Sequence, residues 1–146
     1  MEIFLCLLFI HLKKNIMNFK FEKLVIWKSA MEYGELINKT VLSFPKDEAF
    51  YLINQFRKAA DSIALNIAEG AIVQSNPNQI RLTSYSIRSI AEVVTCLYKA
   101  RNRNFISEDF FDIAYQDAHK LLKMLVAFKA KLEEVNKNRI LKQDSE

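Results

Sequence analysis

Apolar residues return at intervals of three and four along most of the chain, the period of helices that bury one face. In the first such block, from about Leu24 to Leu42, the stripe is Leu24, Trp27, Met31, Gly34, Ile37 and Val41. Ser43-Phe44-Pro45-Lys46-Asp47 closes it, because Pro45 brings no amide donor and biases Phe44 toward extended backbone. Asp47 stands where a second helix needs a cap, and that helix is predicted to run to about Val73. Its seam is Phe56, Ala59, Ala60, Ile63, Ile67 and Gly70, with the amide of Asn66 at the edge. Ser75-Asn76-Pro77-Asn78 is the next break, and Asn76 or Asn78 is placed to cap a third helix. That helix carries Ile80, Ile87, Ala91, Val94 and Tyr98 on one side and ends in Arg101-Asn102-Arg103-Asn104. Ser107, followed by Glu108 and Asp109, opens a fourth helix with the acids at the positive end of its dipole. Phe110, Ala114, Leu121, Met124, Phe128, Leu132 and Val135 line its core side, and residues 137–146 form a polar tail expected to fray.

Four helices joined by short connections predict an all-α fold, an up-down antiparallel four-helix bundle over residues 17–136. Its core is expected to contain Trp27, Phe56, Ile63, Ile87, Val94, Leu121 and Phe128. Two helices carry apolar residues off these stripes. On the second, Tyr51 and Leu65, with Phe50 and Ile53, point away from the seam. On the third, Leu82, Val93 and Cys96, with Ser86 and Ser89, make a second shallow stripe. A helix buried on one side has no use for them, so Tyr51, Leu65, Leu82, Val93 and Cys96 are expected to form a subunit interface in a homo-oligomer. A broader core, or coverage by residues 1–16, would explain them as well.

Residues 1–16 break the pattern. Ile3 to Ile10 is an uninterrupted apolar run followed by His11, Leu12, Lys13 and Lys14. It falls short of the ~20 residues of a membrane span and lacks the basic start of a secretory signal. Met17 opens Met-Asn-Phe-Lys-Phe-Glu-Lys-Leu-Val-Ile-Trp, which has the form of a domain's natural beginning. The extension is therefore read as upstream sequence translated from an early start, with a peripheral anchor or an extra packing segment as alternatives.

Composition removes function classes. A chain of 146 residues is one domain by length. With only Gly34 and Gly70, neither a Gly-rich phosphate loop nor a dinucleotide fingerprint can be written. Cys6 and Cys96 have no paired spacing, so neither a disulfide framework nor a cysteine metal site is indicated, and the chain reads as cytoplasmic. His119 follows Asp117 too closely in helical phase to face it, and Lys120 competes for the acid. Glu92, beside Arg88, is expected to make an ordinary helical ion pair. No catalytic residue, metal or cofactor is expected.

A net charge of +4 is compatible with a polyanionic partner. Arg81, Tyr85 and Arg88 fall four and three residues apart on one helical side, where guanidinium groups can grip phosphate and a tyrosine ring can stack on a base. Arg57 and Lys58 project from the second helix outside its seam. Lys99, Arg101 and Arg103 cluster at the end of the third, and Lys120, Lys123, Lys129 and Lys131 stud the fourth. Arg57, Lys58, Arg81, Tyr85 and Arg88 are the candidate nucleic-acid contacts.

Several segments resemble a known family. Phe21-Glu22-Lys23-Leu24-Val25-Ile26-Trp27 is similar to the opening of the 23S ribosomal RNA intervening-sequence proteins, and Phe44-Pro45-Lys46-Asp47-Glu48 to their first turn. Gln55-Phe56-Arg57-Lys58-Ala59-Ala60 and Ser62-Ile63-Ala64-Leu65-Asn66-Ile67-Ala68-Glu69-Gly70 resemble the most specific signature. Ser89-Ile90-Ala91-Glu92 resembles the helix-three motif, with Arg88 where the family usually has glycine. The family in turn resembles the accessory protein of diversity-generating retroelements, a pentameric basic bundle that binds nucleic acid and a reverse transcriptase. The resemblance implies a homo-oligomer, with a pentamer as its model, and RNA or DNA as leading partner. It supplies no catalytic residues. Two functions follow: a non-enzymatic nucleic-acid-binding oligomer, or a protein-interaction scaffold for a partner such as a polymerase.

Overall fold

Each break between helices is made by local chemistry. The computed structural model describes residues 19–72 and 75–144, which places the N-terminal extension, the expected helix end at Val73 and the last two residues of the tail outside the described residues. A short 3-10 turn, Lys20–Lys23, leads into α1 (Val25–Thr40), and a second, Val41–Ser43, tightens its end. Phe44 is extended, with ψ 145°, as the residue before a proline must be. α2 (Lys46–Ile72) begins immediately after Pro45, so Asp47 is not a cap. It lies with Glu48 in the first turn, where a carboxylate faces the positive end of the dipole.

α3 spans Asn76–Asn102, with Ser75 at the cap position and Pro77 in the first turn, so neither Asn76 nor Asn78 caps it. Its far end is closed without glycine. Asn104 takes the left-handed conformation, with φ 57°, which asparagine tolerates better than most residues. The Phe105 amide then donates to the Ala100 carbonyl and the Asn104 amide to Arg101, both at 2.9 Å, the paired bonds of a Schellman motif. Ser107 caps α4 (Glu108–Gln143) as expected, its Oγ accepting from the Phe110 amide at 3.1 Å. α4 runs on to Gln143 rather than fraying near Asn136.

α1 packs on α2, α2 on α3, α3 on α4, and α4 returns to α1, while the diagonal pairs do not meet. This is the expected four-helix bundle, all helix among the described residues. Phe44 and Phe105, from the two turns at one end, meet at 5.3 Å over Phe56, which is fully buried. The tightest pair is α2 with α3. Ala59, Ile63 and Ile67 of α2 and Ser86, Ser89, Ile90 and Val93 of α3 are buried, and the buried Ser86 hydroxyl donates to the Ile63 carbonyl at 2.9 Å. Across the bundle, the buried Tyr33 hydroxyl donates to the Ala114 carbonyl at 3.0 Å.

Two stripes differ from the sequence reading. α1 buries Ile26, Ala30, Tyr33 and Ile37, while Met31 is exposed and Trp27 is only partly covered. On α3 the inward face is Thr83, Ser86, Ser89, Ile90, Val93, Cys96 and Leu97. Ile87 and Val94 lie half-buried toward α4, and Ala91 and Tyr98 are exposed. Small hydroxyl and branched side chains face α2 because the helices are too close there for larger ones. The longer apolar side chains mark the flank instead. Of the expected core, Phe56, Ile63 and Leu121 are buried, and Trp27, Ile87, Val94 and Phe128 form its margin.

Ile63→Asp would place a carboxylate in this contact with nothing to pair it, costing several kcal/mol, about the whole stability of a small domain. It should abolish the cooperative thermal transition followed by circular dichroism. Burial first, and the Asp117 carboxylate second, push the Tyr33 phenol above its ordinary value. The unfolded chain therefore loses this proton first, near pH 10. The contribution is whole below that pH and is lost as pH rises from there toward the folded value. Tyr33→Phe should cost about 1 kcal/mol at neutral pH and flatten that alkaline decline in urea titrations.

Candidate nucleic-acid interface

The outer side of α3 carries Arg81, Tyr85 and Arg88, all exposed. Inward placement of Thr83 and Ser86 forces this, since a residue two positions away on a helix turns to the opposite side, as Arg81 and Tyr85 are from Thr83 and Arg88 from Ser86. The Arg88 guanidinium lies over the Tyr85 ring, 5.5 Å from its centroid. Arg88 thus reaches back along α3 to the tyrosine and does not pair with Glu92 as expected. Among the described residues neither Arg81 nor Arg88 makes an ion pair. The glycine usual at position 88 is not missed, because that position faces solvent and not a neighbouring helix.

Lys58 joins this side from α2. The Ser86–Ile63 bond fixes the register of the two helices, which sets Lys58 level with Ala91, within a turn of Arg88. Lys58 is exposed. Arg57 presents less to this surface: it is half-buried, with Nε shut off from solvent and unpartnered. Its phase turns it toward the core margin.

The remaining basic clusters are partly occupied. Arg101 stacks over Phe111 at 4.1 Å and Tyr98 at 4.9 Å, and its guanidinium lies 3.7 Å from Glu108. It ties the end of α3 to the start of α4. Tyr98 and Arg101 are three apart on α3, a spacing that signals an aromatic–cation contact once Phe111 is known to face them. On α4, Lys120 pairs with Asp117 at 3.2 Å, Lys129 with Glu133 at 3.5 Å and Lys131 with Glu134 at 3.0 Å. Lys99, Arg103 and Lys123 make no ion pair among the described residues, so unneutralised positive charge is shared between the outer side of α3 and these positions. The Lys120 pair also takes the acid nearest His119, which is exposed. Among the described residues no cluster of histidine, cysteine and acid groups could hold a metal ion, and no helix is long and apolar enough to cross a membrane.

The expected interface residues divide. Tyr51 is 84% exposed and Leu65 59%, and Leu82 is half-buried. Val93 and Cys96 are fully buried in the bundle's own core and cannot meet another subunit. Burial pushes the Cys96 thiol up, so it packs as a small hydrophobe. Two apolar grooves open on different faces. One, of about 410 Å³ between α1 and α2, has a floor of Ala30, Gly34, Ala60, Ala64 and Ala68 and walls of Phe21, Trp27, Met31 and Leu65. The other, of about 380 Å³ between α3 and α4, is lined by Ile87, Val94, Tyr115, His119 and Leu122.

The opposite fates of Val93 and Leu65 are measurable. Val93→Lys should unfold the subunit, lowering its melting temperature by well over 10 °C for a loss of roughly 3 kcal/mol or more. Leu65→Lys should leave helicity and melting nearly unchanged, since surface replacements stay within about 0.5 kcal/mol.

A solved structure with the same fold is that of a protein of unknown function from the S23 ribosomal protein family of Bacteroides thetaiotaomicron VPI-5482. It superimposes with a TM-score of 0.65 at 18% identity, over 72% of this chain and 98% of that one. No curated protein matches this chain. The model of the 23S rRNA-intervening sequence protein family matches residues 22–127, from the turn before α1 into the second half of α4. The chain belongs to the 23S rRNA-intervening sequence protein family.

Proposed function

We propose that this protein is a non-enzymatic, self-associating bundle that binds nucleic acid along the outer side of α3. The observation that carries the reading is the Arg81–Tyr85–Arg88 ridge, which sets two arginines without an acidic partner on one exposed side with a tyrosine, whereas Lys120, Lys129 and Lys131 of α4 are each paired. Arg81 and Arg88 grip phosphates two helical turns apart, with Lys58 beside them, and Tyr85 offers a ring for a base to stack on. Such contacts carry little base preference. The family's description lends support to an RNA-related role.

One copy presents few charges, so self-association matters. Apolar grooves on two different faces suit a head-to-tail contact, which closes into a ring when the rotation allows. Tyr51, Leu65 and Leu82 are the outer-face residues available to it, and a pentamer is one such ring. A ring repeats the α3 ridge around its axis and multiplies a weak patch into a strong one. The exposed grooves equally favour a second reading, a scaffold on which a protein such as a polymerase docks, with the positive charge incidental.

Salt separates the two. Phosphate-dominated binding of a single-stranded RNA should weaken linearly on a log–log plot of affinity against salt, with a slope of about −0.7 per neutralised phosphate. Replacing both Arg81 and Arg88 by Ala should make that slope shallower by about 0.7 for each lost contact and leave the oligomer intact by light scattering. A scaffold would bind no RNA or DNA above background even at low salt.

A further inference from the structure

α4 is longer than the bundle it belongs to. It has 36 residues against 27 in α3, its antiparallel neighbour across a short turn. The last buried residue of α4 is Leu125. Phe128 and Leu132 still meet the bundle, lining a cavity with Leu24, Ala71 and, at the start of α3, Asn76. From Lys137 to Asp144 every residue is exposed. The surplus over α3, at 1.5 Å per residue, is a projection of about 13 Å. The family model's match stops at residue 127, so the projection lies outside it.

The projection is cationic. Residues 135–143 hold Lys137, Arg139 and Lys142 and no acid, in a chain whose whole net charge is +4. The negative end of the helix dipole favours cations in the last turn, which accounts for Lys142 but not for Lys137 and Arg139 before it. Among the described residues these two make no ion pair, because the acids nearest them upstream, Glu133 and Glu134, are taken by Lys129 and Lys131. Nor is there an apolar face. By helical phase Val135, Ile140 and Leu141 stand on three different sides, each more than a quarter turn from the next. A lipid surface or a partner helix needs one continuous apolar side. Phosphates, which meet a cation from any direction, do not.

We infer that this projection is a second nucleic-acid contact, which carries a strand bound on the α3 ridge past the end of the bundle. The inference rests on the nucleic-acid reading of that ridge. Because α3 and α4 are antiparallel, α4 leaves the bundle at the end where α3 begins, and Arg81 lies in the second turn of α3. From Arg88 to Arg81 is about 10 Å along the axis, and from there to the level of Arg139 a further ~18 Å. A stacked strand at ~3.4 Å per nucleotide covers that track in about eight nucleotides. Lys137 and Arg139 take phosphates, and the amides of Asn138 and Gln143 hydrogen-bond phosphate or ribose oxygens. Such a contact adds affinity without base preference.

Binding of a single-stranded RNA of about fifteen nucleotides to the full chain, measured across a salt series, tests this. Lys137→Gln with Arg139→Gln should make the log–log slope shallower by about 1.4 and weaken binding about 25-fold at 0.1 M salt, the loss of two phosphates. Glutamine keeps the helix, so circular dichroism should not change. Lys120→Gln with Lys131→Gln removes the same charge from paired lysines and should leave the slope as it is. An equal loss in this control would make the effect one of net charge alone and overturn the contact. So would an unchanged slope in the Lys137→Gln, Arg139→Gln chain while Arg81→Ala with Arg88→Ala still flattens it, a result that leaves the ridge standing. If the Lys137→Gln, Arg139→Gln chain keeps its RNA affinity but no longer sediments with phosphatidylserine vesicles, lipid is the partner and the assignment fails. A parent chain that binds no RNA at low salt overturns the functional reading and this inference together.

Discussion

Everything in this bundle is referred to one close contact, α2 against α3. Two long helices approach closely where side chains are small or branched at Cβ, and both supply such residues: Ala59, Ile63 and Ile67 on one, Thr83, Ser86, Ser89 and Val93 on the other. The Ser86–Ile63 bond satisfies a hydroxyl that would otherwise be costly at zero exposure, and it pins the register. A methyl added at Gly70 would lie 3.4 Å from Leu82 Cβ, so the pair stays close to the end of α2. Once this register is set, α1 and α4 have defined flanks to cover, and the two aromatic turns close the far end over Phe56.

The same contact decides what the surface offers. Turning the small hydroxyl side of α3 inward turns Arg81, Tyr85 and Arg88 outward. It also leaves Ile87 and Val94 on a flank, where with Leu122 they make an apolar groove. α1 covers α2 with small residues on both sides, which leaves the second groove between them. Charge is sorted by helix in consequence. On α4, Lys120, Lys129 and Lys131 are balanced by acids one turn away, as on a solvated helix and for modest gain. Arg101 is spent on joining α3 to α4 through two aromatic rings. Arg81 and Arg88, flanking a tyrosine, have no acid paired with them on α3.

The sequence by itself determined the number of helices, their order and most of their ends. Four apolar periods, Pro45 and Ser107 carry that information locally, and so does the scarcity of glycine and proline. It also identified Arg81, Tyr85 and Arg88 as one helical side, because that needs only spacing. Tertiary structure decided which side of each helix faces in. Bulk misled on α3: Ile87 and Val94 are larger than Ser86 and Ser89, yet close approach to α2 selects the smaller residues, so Val93 and Cys96 are core rather than interface. Arg57 and Lys58 are neighbours in sequence, and only the packed helix shows one turned toward the core margin and the other free. Asn104 ends α3 by a left-handed turn whose evidence is a hydrogen-bond pair, not a residue pattern. Periodicity says that a helix has a buried side; the distance to its neighbour, which no single helix encodes, says which side it is.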